Sequence, residues 1–261
     1  MKKIRILCPI AILPGWREGE LRSKYHALHV SYFEDEFKAV KDPNTEIVYK
    51  EVPDAMGPHV EQYHESDLAG LLFAREAFKA DQEGFDGVII GCFCDPGVEA
   101  ARELCDTLVM SHACAALHVA SMLGNKFSII ICGRGHIETI TAEVVRRYGL
   151  ESKLASIRTL DVPPTGMNPT LLSKQDLETM NEKALKEAKK AIKEDGAEVI
   201  IAYAGSYEYL KKRLDVPVIS PTLAALKMTE ALVMMGLCHS KKTYPRPRIP
   251  HSYYLSSKPS T

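Results

Sequence analysis

Short β-branched runs recur along the chain, and between them apolar residues return every three or four positions. That alternation predicts parallel strands joined by helices. Lys2–Cys8 (KKIRILC) predicts a first buried strand, with a loop over Pro9–Gly15 at its carboxyl end. Trp16–Val40 is helical in composition, and Asp42-Pro43-Asn44 breaks it before a second strand, Glu46–Val52. After a loop closed by Pro58, Leu68, Leu71, Leu72, Ala74 and Phe78 give one buried face to a helix over Ser66–Gln82. Val88-Ile89-Ile90 then reads as a fully buried strand that stops at Gly91, followed by a helix over VEAARELC, residues 98–105. Further strands are expected at Thr107–Ser111, Phe127–Cys132, Lys153–Leu160, Val199–Tyr203 and Val216–Ser220. Helices are expected at Ala113–Leu123, from Gly133-Arg134-Gly135-His136 through Tyr148, at Ser173–Asp195 with Gly196 as C-cap, and at Thr222–Met235. From Ser240 the chain is polar, basic and rich in proline, a tail rather than an element.

The same pattern occurs twice. Gly84–Gly124 and Gly196–Gly236 each run from Gly through an acidic residue, a Val-Ile-Ile strand, a rim residue, a helix and a Val-containing strand to an Ala-Ala-Leu helix ending in Gly. The offset of roughly 110 residues is far longer than a solenoid period and predicts a duplicated lobe. The expected fold is therefore α/β, with two pseudo-symmetric lobes, each a mostly parallel sheet flanked by helices. The active site is expected in the cleft between them. Residues 1–109 with 220–261 would form lobe 1 and residues 110–219 lobe 2.

Composition narrows the function. The chain has 261 residues, 46% hydrophobic and 26% charged, with a formal net charge of −1. Nothing in that balance calls for nucleic acid or an anionic membrane as partner. No apolar run approaches the length needed to span a bilayer. Seven cysteines, odd in number and with no recognisable signal peptide ahead of the core, are expected to be free thiols of a reducing cytoplasm.

Chemistry is expected where strands end. In open α/β sheets ligands bind at the carboxyl ends of strands. Cys92 sits there, and Asp95-Pro96 reads as the N-cap and first turn of the next helix, whose start would favour a thiolate and an anion. In the repeat, Cys92 aligns with Tyr203, so each lobe would present one group to the cleft. Cys94 reads as wall, and the backbone around Ala204, Gly205 and Ser206 as a source of donors for a bound anion. Cys92-x-Cys94 is spaced too closely for an ordinary zinc pair, so no metal is expected.

These residues resemble the aspartate/glutamate/hydantoin racemase superfamily, in particular its hydantoin and allantoin racemase branch. The resemblance rests on Cys92 with Asp95-Pro96-Gly97 and Ala100–Glu103 (AARE), on Ala116–Ile130, on GAEVII before Tyr203 with Ala204-Gly205 after it, on Val216–Lys227, and on Gly57-Pro58. It implies proton transfer without a cofactor, at a carbon next to a carbonyl, between two cysteines, one from each lobe. It also implies an oligomer of identical chains acting on a small molecule. Four rim positions depart from the pattern. Tyr203 stands where the family has its second cysteine, Cys8-Pro9-Ile10-Ala11 where it has Asn-Pro-Asn-Thr, Cys114 where it has Glu, and Ile131 and Cys132 where it has a Thr pair. Cys92 and Tyr203 are thus the expected catalytic residues, with Cys94, Asp95, Cys132, Ala204, Gly205 and Ser206 lining the substrate. The expected reaction is racemase-like proton transfer on a small carboxylate, amide or hydantoin-type ureide. A single-cysteine decarboxylase or lyase, and a binding protein without turnover, are the alternatives.

Overall fold

In the computed structural model, which describes residues 3–11, 34, 36–38, 40–52, 60–133, 135–162 and 174–248, the β-branched runs form two four-stranded sheets. The first contains β1 (Ile4–Ala11), β2 (Thr45–Val52), β3 (Gly87–Ile90) and β4 (Leu108–Ser111), in the order β2-β1-β3-β4. The second contains β5 (Phe127–Cys132), β6 (Leu154–Leu160), β7 (Val199–Ala202) and β8 (Val218–Ile219), in the order β6-β5-β7-β8. Every pairing is parallel. The two sheets therefore repeat one topology, and β3 and β7 hold equivalent places in it. Parallel neighbours require crossovers, and helices supply them. These are α1 (Tyr63–Gln82), α2 (Val98–Leu104), α3 (His112–Leu123), α4 (Ile137–Arg147), α5 (Lys174–Glu194), α6 (Tyr207–Lys211) and α7 (Pro221–Met234).

Helices cover both faces of both sheets, which is why the central strands are apolar on both sides. Alternate residues of one strand point to opposite faces. Val88 and Ile90 pack with Phe73 and Phe78 of α1, while Ile89 packs with Ala225 and Leu226 of α7. Ile130 and Ile200 pack on Ala184 and Ala188 of α5, while Ile129 and Ile201 pack on Ala116 and Leu117 of α3.

Two helices are exchanged between the lobes. α3 leaves the first sheet but buries its apolar stripe on the second, and α7 leaves the second sheet but packs on the first. This exchange joins the lobes and holds the two sets of strand ends together. The boundary expected at 109/110 falls inside β4, since Ser111 still pairs with Ile90. The one at 219/220 coincides with the end of β8.

Two elements differ from expectation. β1 runs on through Pro9 and Ile10 to Ala11, paired with β2, where a loop is expected. α1 begins at Tyr63 rather than Ser66, because the Glu65 carboxylate accepts the N–H groups of Glu61 and Gln62 and caps the helix early. The segment after Ser240 forms no helix or strand as far as Arg248, as expected of a tail, but it is tied down as far as Arg246, which pairs with Asp106. Tyr244 accepts a hydrogen bond from Arg102 Nη1 at 3.1 Å, and Lys241 donates to the Arg102 carbonyl at 2.8 Å. The expected helix over 16–40 lies mostly outside the described residues, with His26, His29, Tyr32 and Phe33. Gly57-Pro58, Arg134 and most of the loop expected over Pro9–Gly15 lie outside them too. No helix among the described residues is long and apolar enough to cross a membrane.

Candidate active site

The loop that follows β3 enters the other lobe. Phe93 and Cys94 are buried among Phe127, Ile129, Val199 and Ile201 of the second sheet, and Cys92 packs against the same cluster. Cys92 is half-buried, whereas Cys94 is 4% exposed and its thiol faces the Val60 carbonyl at 3.7 Å. A hydrogen bond with Cys92, reinforced by burial, holds the Cys94 thiol well above its usual pKa. Cys94 is thus closed off and held neutral, and Cys92 is the more exposed of the two sulfurs.

Asp95 is not the cap that its position suggests. The N-cap of α2 is Gly97, at φ +70°, with no side-chain hydrogen bond, and Asp95 adopts the left-handed conformation at φ +52°. Its carboxyl group turns inward, 2% exposed, and accepts the hydroxyl of Tyr148 from the end of α4. The start of α2 is also closed off, because the Gly97 backbone lies directly on that of Gly70 in α1. Burial lifts the Asp95 pKa to about 6, against the opposing effect of hydrogen bonds from Tyr148 and Ser111 and the charges of Arg102 and Arg147. A carboxyl whose folded pKa exceeds the unfolded one binds its proton more tightly when folded. Its contribution to stability is complete below about pH 4 and lost as pH rises through about 6. Asp95→Asn keeps an acceptor for Tyr148 and tolerates the left-handed backbone. It is expected to gain on the order of 2–3 kcal/mol relative to the parent between pH 4 and pH 7. Urea unfolding at both pH values checks this; parallel stability curves would show that the carboxyl does not titrate there.

Tyr203 arrives from the opposite side. Its own N–H and that of Ala204 both donate to the Ile130 carbonyl, at 3.0 and 2.9 Å, which fixes the backbone just past β7. The phenol oxygen reaches across the lobes and accepts the N–H of Phe93 at 3.2 Å. The two rings lie 5.0 Å apart, and His112 meets the Tyr203 ring edge-on at 6.1 Å. The phenol thus touches the residue between the two cysteines.

Other expected liners sit elsewhere. Cys132 is 1% exposed and packs with Met180 and Ala184 of α5, on the sheet face away from Cys92. Burial pushes its pKa to about 12. It is a core residue, because the strand's alternation turns Ile131, not Cys132, toward the other lobe. Ala204 is 1% exposed, and its N–H is taken by Ile130. The Ser206 N–H donates to the buried Asn181 side chain at 2.7 Å, so it is engaged within the second lobe. Gly205 holds φ +83° where a Cβ would meet that of Ala184 at 2.7 Å, a turn that carries Tyr203 rather than a ligand. Sequence reasoning missed Tyr148, His112 and Asn181 as supports. Each acts through a contact distant in sequence and has no local signature.

Two parallel α/β sheets of one topology meet over a cysteine loop, and similarity to known proteins makes the chain a racemase-type enzyme. The chain belongs to the Asp/Glu/Hydantoin racemase family, whose model matches residues 31–229. The hydantoin racemase of Pseudomonas sp. (strain NS671) is 35% identical over 216 residues, covering 80% of this chain and 83% of that one. Allantoin racemase from Klebsiella pneumoniae superposes with a TM-score of 0.79 at 28% identity, over 95% of each chain. Allantoin racemase from Pseudomonas fluorescens gives a TM-score of 0.75 at 28% identity, over 95% of this chain and 98% of that one.

Proposed function

We propose that the protein moves a proton at the carbon next to a carbonyl of a small carboxylate, amide or hydantoin-type ureide, with Cys92 as acid and base and without a cofactor. The observation that supports this reading best is the hydrogen bond from Phe93 N–H to Tyr203 Oη, which brings the equivalent rims of the two lobes together beside Cys92. The relatives named for hydantoin and allantoin make cyclic ureides the first substrates to try.

The Cys92 thiolate takes the proton, and charge passes to the carbonyl oxygen. Such a carbon is a weaker acid than a thiol near ~8.5, so the anion must be met by placed donors. Return of a proton to the opposite face falls to Tyr203. A phenol near ~10 is a poor base at neutral pH but an adequate acid. Exchange is therefore faster than inversion in this reading. In D2O, 5-substituted hydantoins and allantoin are expected to gain α-deuterium at least ~10-fold faster than they lose optical activity. Tyr203→Cys is expected to bring the two rates within a few-fold of each other. NMR and polarimetry on the same samples check both, and absence of exchange from every one of these substrates would end the proposal.

The phenol also favours a second reading. A site with sulfur on one side only is suited to one-sided protonation after loss of CO2 or another leaving group. Release of CO2 from a malonate-like acid with one-sided deuterium incorporation would select that reading.

A further inference from the structure

We infer that Cys114 is a second reactive thiolate, in a pocket separate from the Cys92 cleft, and that it is oxidised by small hydroperoxides. The inference does not rest on the reaction proposed for Cys92.

The pocket has a volume of about 320 Å³ and lies among α3, α7 and the docked segment after Cys238. Arg102, Met110, Cys114, His118, Tyr148 and Tyr244 line it. Its walls mix apolar surface with a nucleophile, a base and a cation, as a small-molecule site does.

Cys114 occupies the first turn of α3, where its N–H is capped by Ser111 Oγ at 3.1 Å and the helix dipole favours negative charge. Arg102 Nη2 lies 3.5 Å from the sulfur, and His118 Nδ1, one helical turn on, lies 3.9 Å from it and 2.7 Å from the Cys114 carbonyl, to which it donates. Arg102 is 4% exposed. Its other bonds end on the Val109 carbonyl and the Tyr244 hydroxyl, so the sulfur is the group among these able to carry charge at neutral pH. The Asp95 carboxylate also acts on this buried guanidinium through its charge, but the sulfur is the ionisable group that Arg102 hydrogen-bonds.

The electrostatics agree with the geometry. Burial pushes the Cys114 pKa up and the nearby Asp95 adds to this, but the His118 hydrogen bond and the Arg102 charge outweigh them and hold it below the usual thiol value. The hydrogen bond to the same sulfur, helped by the one to the Cys114 carbonyl, raises His118 against the opposing effect of burial. By contrast, burial pushes Cys8, Cys105 and Cys132 up to about 12. Those three are inert by the same criterion that makes Cys114 reactive.

In the step, the thiolate attacks one oxygen of the hydroperoxide. The S–O bond forms as the O–O bond breaks, sulfur loses two electrons and the peroxide is reduced. The departing hydroxide or alkoxide takes the His118 imidazolium proton and leaves as water or alcohol. The product is a sulfenic acid.

The test treats the full chain with hydrogen peroxide, traps sulfenic acid with dimedone and maps the labelled peptides by mass spectrometry. Cys114 is expected to label at least ~10-fold faster than the exposed Cys238, and His118→Gln to slow it by a similar factor. Cys114→Glu keeps an anion on Arg102 and is expected to fold with the label lost from that peptide alone. Labelling no faster than at Cys238, or unchanged in His118→Gln, overturns the inference. The readout needs no turnover, so it stands or falls separately from the Cys92 chemistry.

Discussion

Replacing Cys92 with serine is expected to lower α-proton exchange by about 10³-fold while leaving the protein folded. A positioned acid–base group typically contributes about 10²–10⁴-fold. A hydroxyl ionises far less readily than a thiol, so serine keeps the shape of Cys92 and loses its basicity. Cys92 is half-buried and packs at the edge of the cluster between the lobes. A one-atom change there is expected to move Tm by no more than a few degrees. Cys94→Ser is the matching control. Its thiol is buried against Val60 and held neutral, so it is expected to lower exchange about 10-fold or less. Exchange measured by NMR in D2O, with Tm from calorimetry, separates the two roles. A Cys92→Ser variant that keeps more than a tenth of parental exchange would remove Cys92 from the mechanism.

Gly97→Ala is expected to destabilise the protein by about 4 kcal/mol, near the upper end for a single small substitution. Two effects combine. Gly97 holds φ +70°, where a Cβ costs about 1–2 kcal/mol. A Cβ there would also lie 2.0 Å from the Gly70 carbonyl oxygen, a backbone atom of α1 that cannot rotate away. Relief requires α1 and the start of α2 to separate, which is overpacking worth about 1–3 kcal/mol or more. Gly84 isolates the first effect, since it holds φ +73° with nothing within 4 Å of its ideal Cβ. Gly84→Ala is therefore expected to cost only about 1–2 kcal/mol. Urea denaturation of both variants measures the difference. Equal losses would mean that the Gly70–Gly97 contact yields easily and does not fix the cysteine loop.

Much of the architecture follows from local pattern. Val88-Ile89-Ile90 and Val199-Ile200-Ile201 are each apolar on both sides because each is covered by helices on both sides, and that is visible in the residues themselves. The repeat placed Cys92 and Tyr203 at equivalent strand ends, and β3 and β7 hold equivalent places in their sheets. Cys132 was misplaced because its rim position followed from the strand's end, while its direction follows from the two-residue alternation within β5. Asp95 was misplaced because a carboxylate before Pro96 resembles a helix cap, while Tyr148 offers it a buried hydroxyl instead.

Chain order and periodicity, on their own, determined most of the described strands and helices, that one strand topology recurs, and that a cysteine follows one central strand. Only the tertiary structure decided that the segment after Cys238 lines a pocket beside Arg102 and that Tyr203 bonds to Phe93. The reason is physical. Periodicity records that a face is buried, not what buries it, and hydrogen bonds between residues 53 or 110 positions apart, as in Tyr148–Asp95 and Phe93–Tyr203, leave no trace in either local segment.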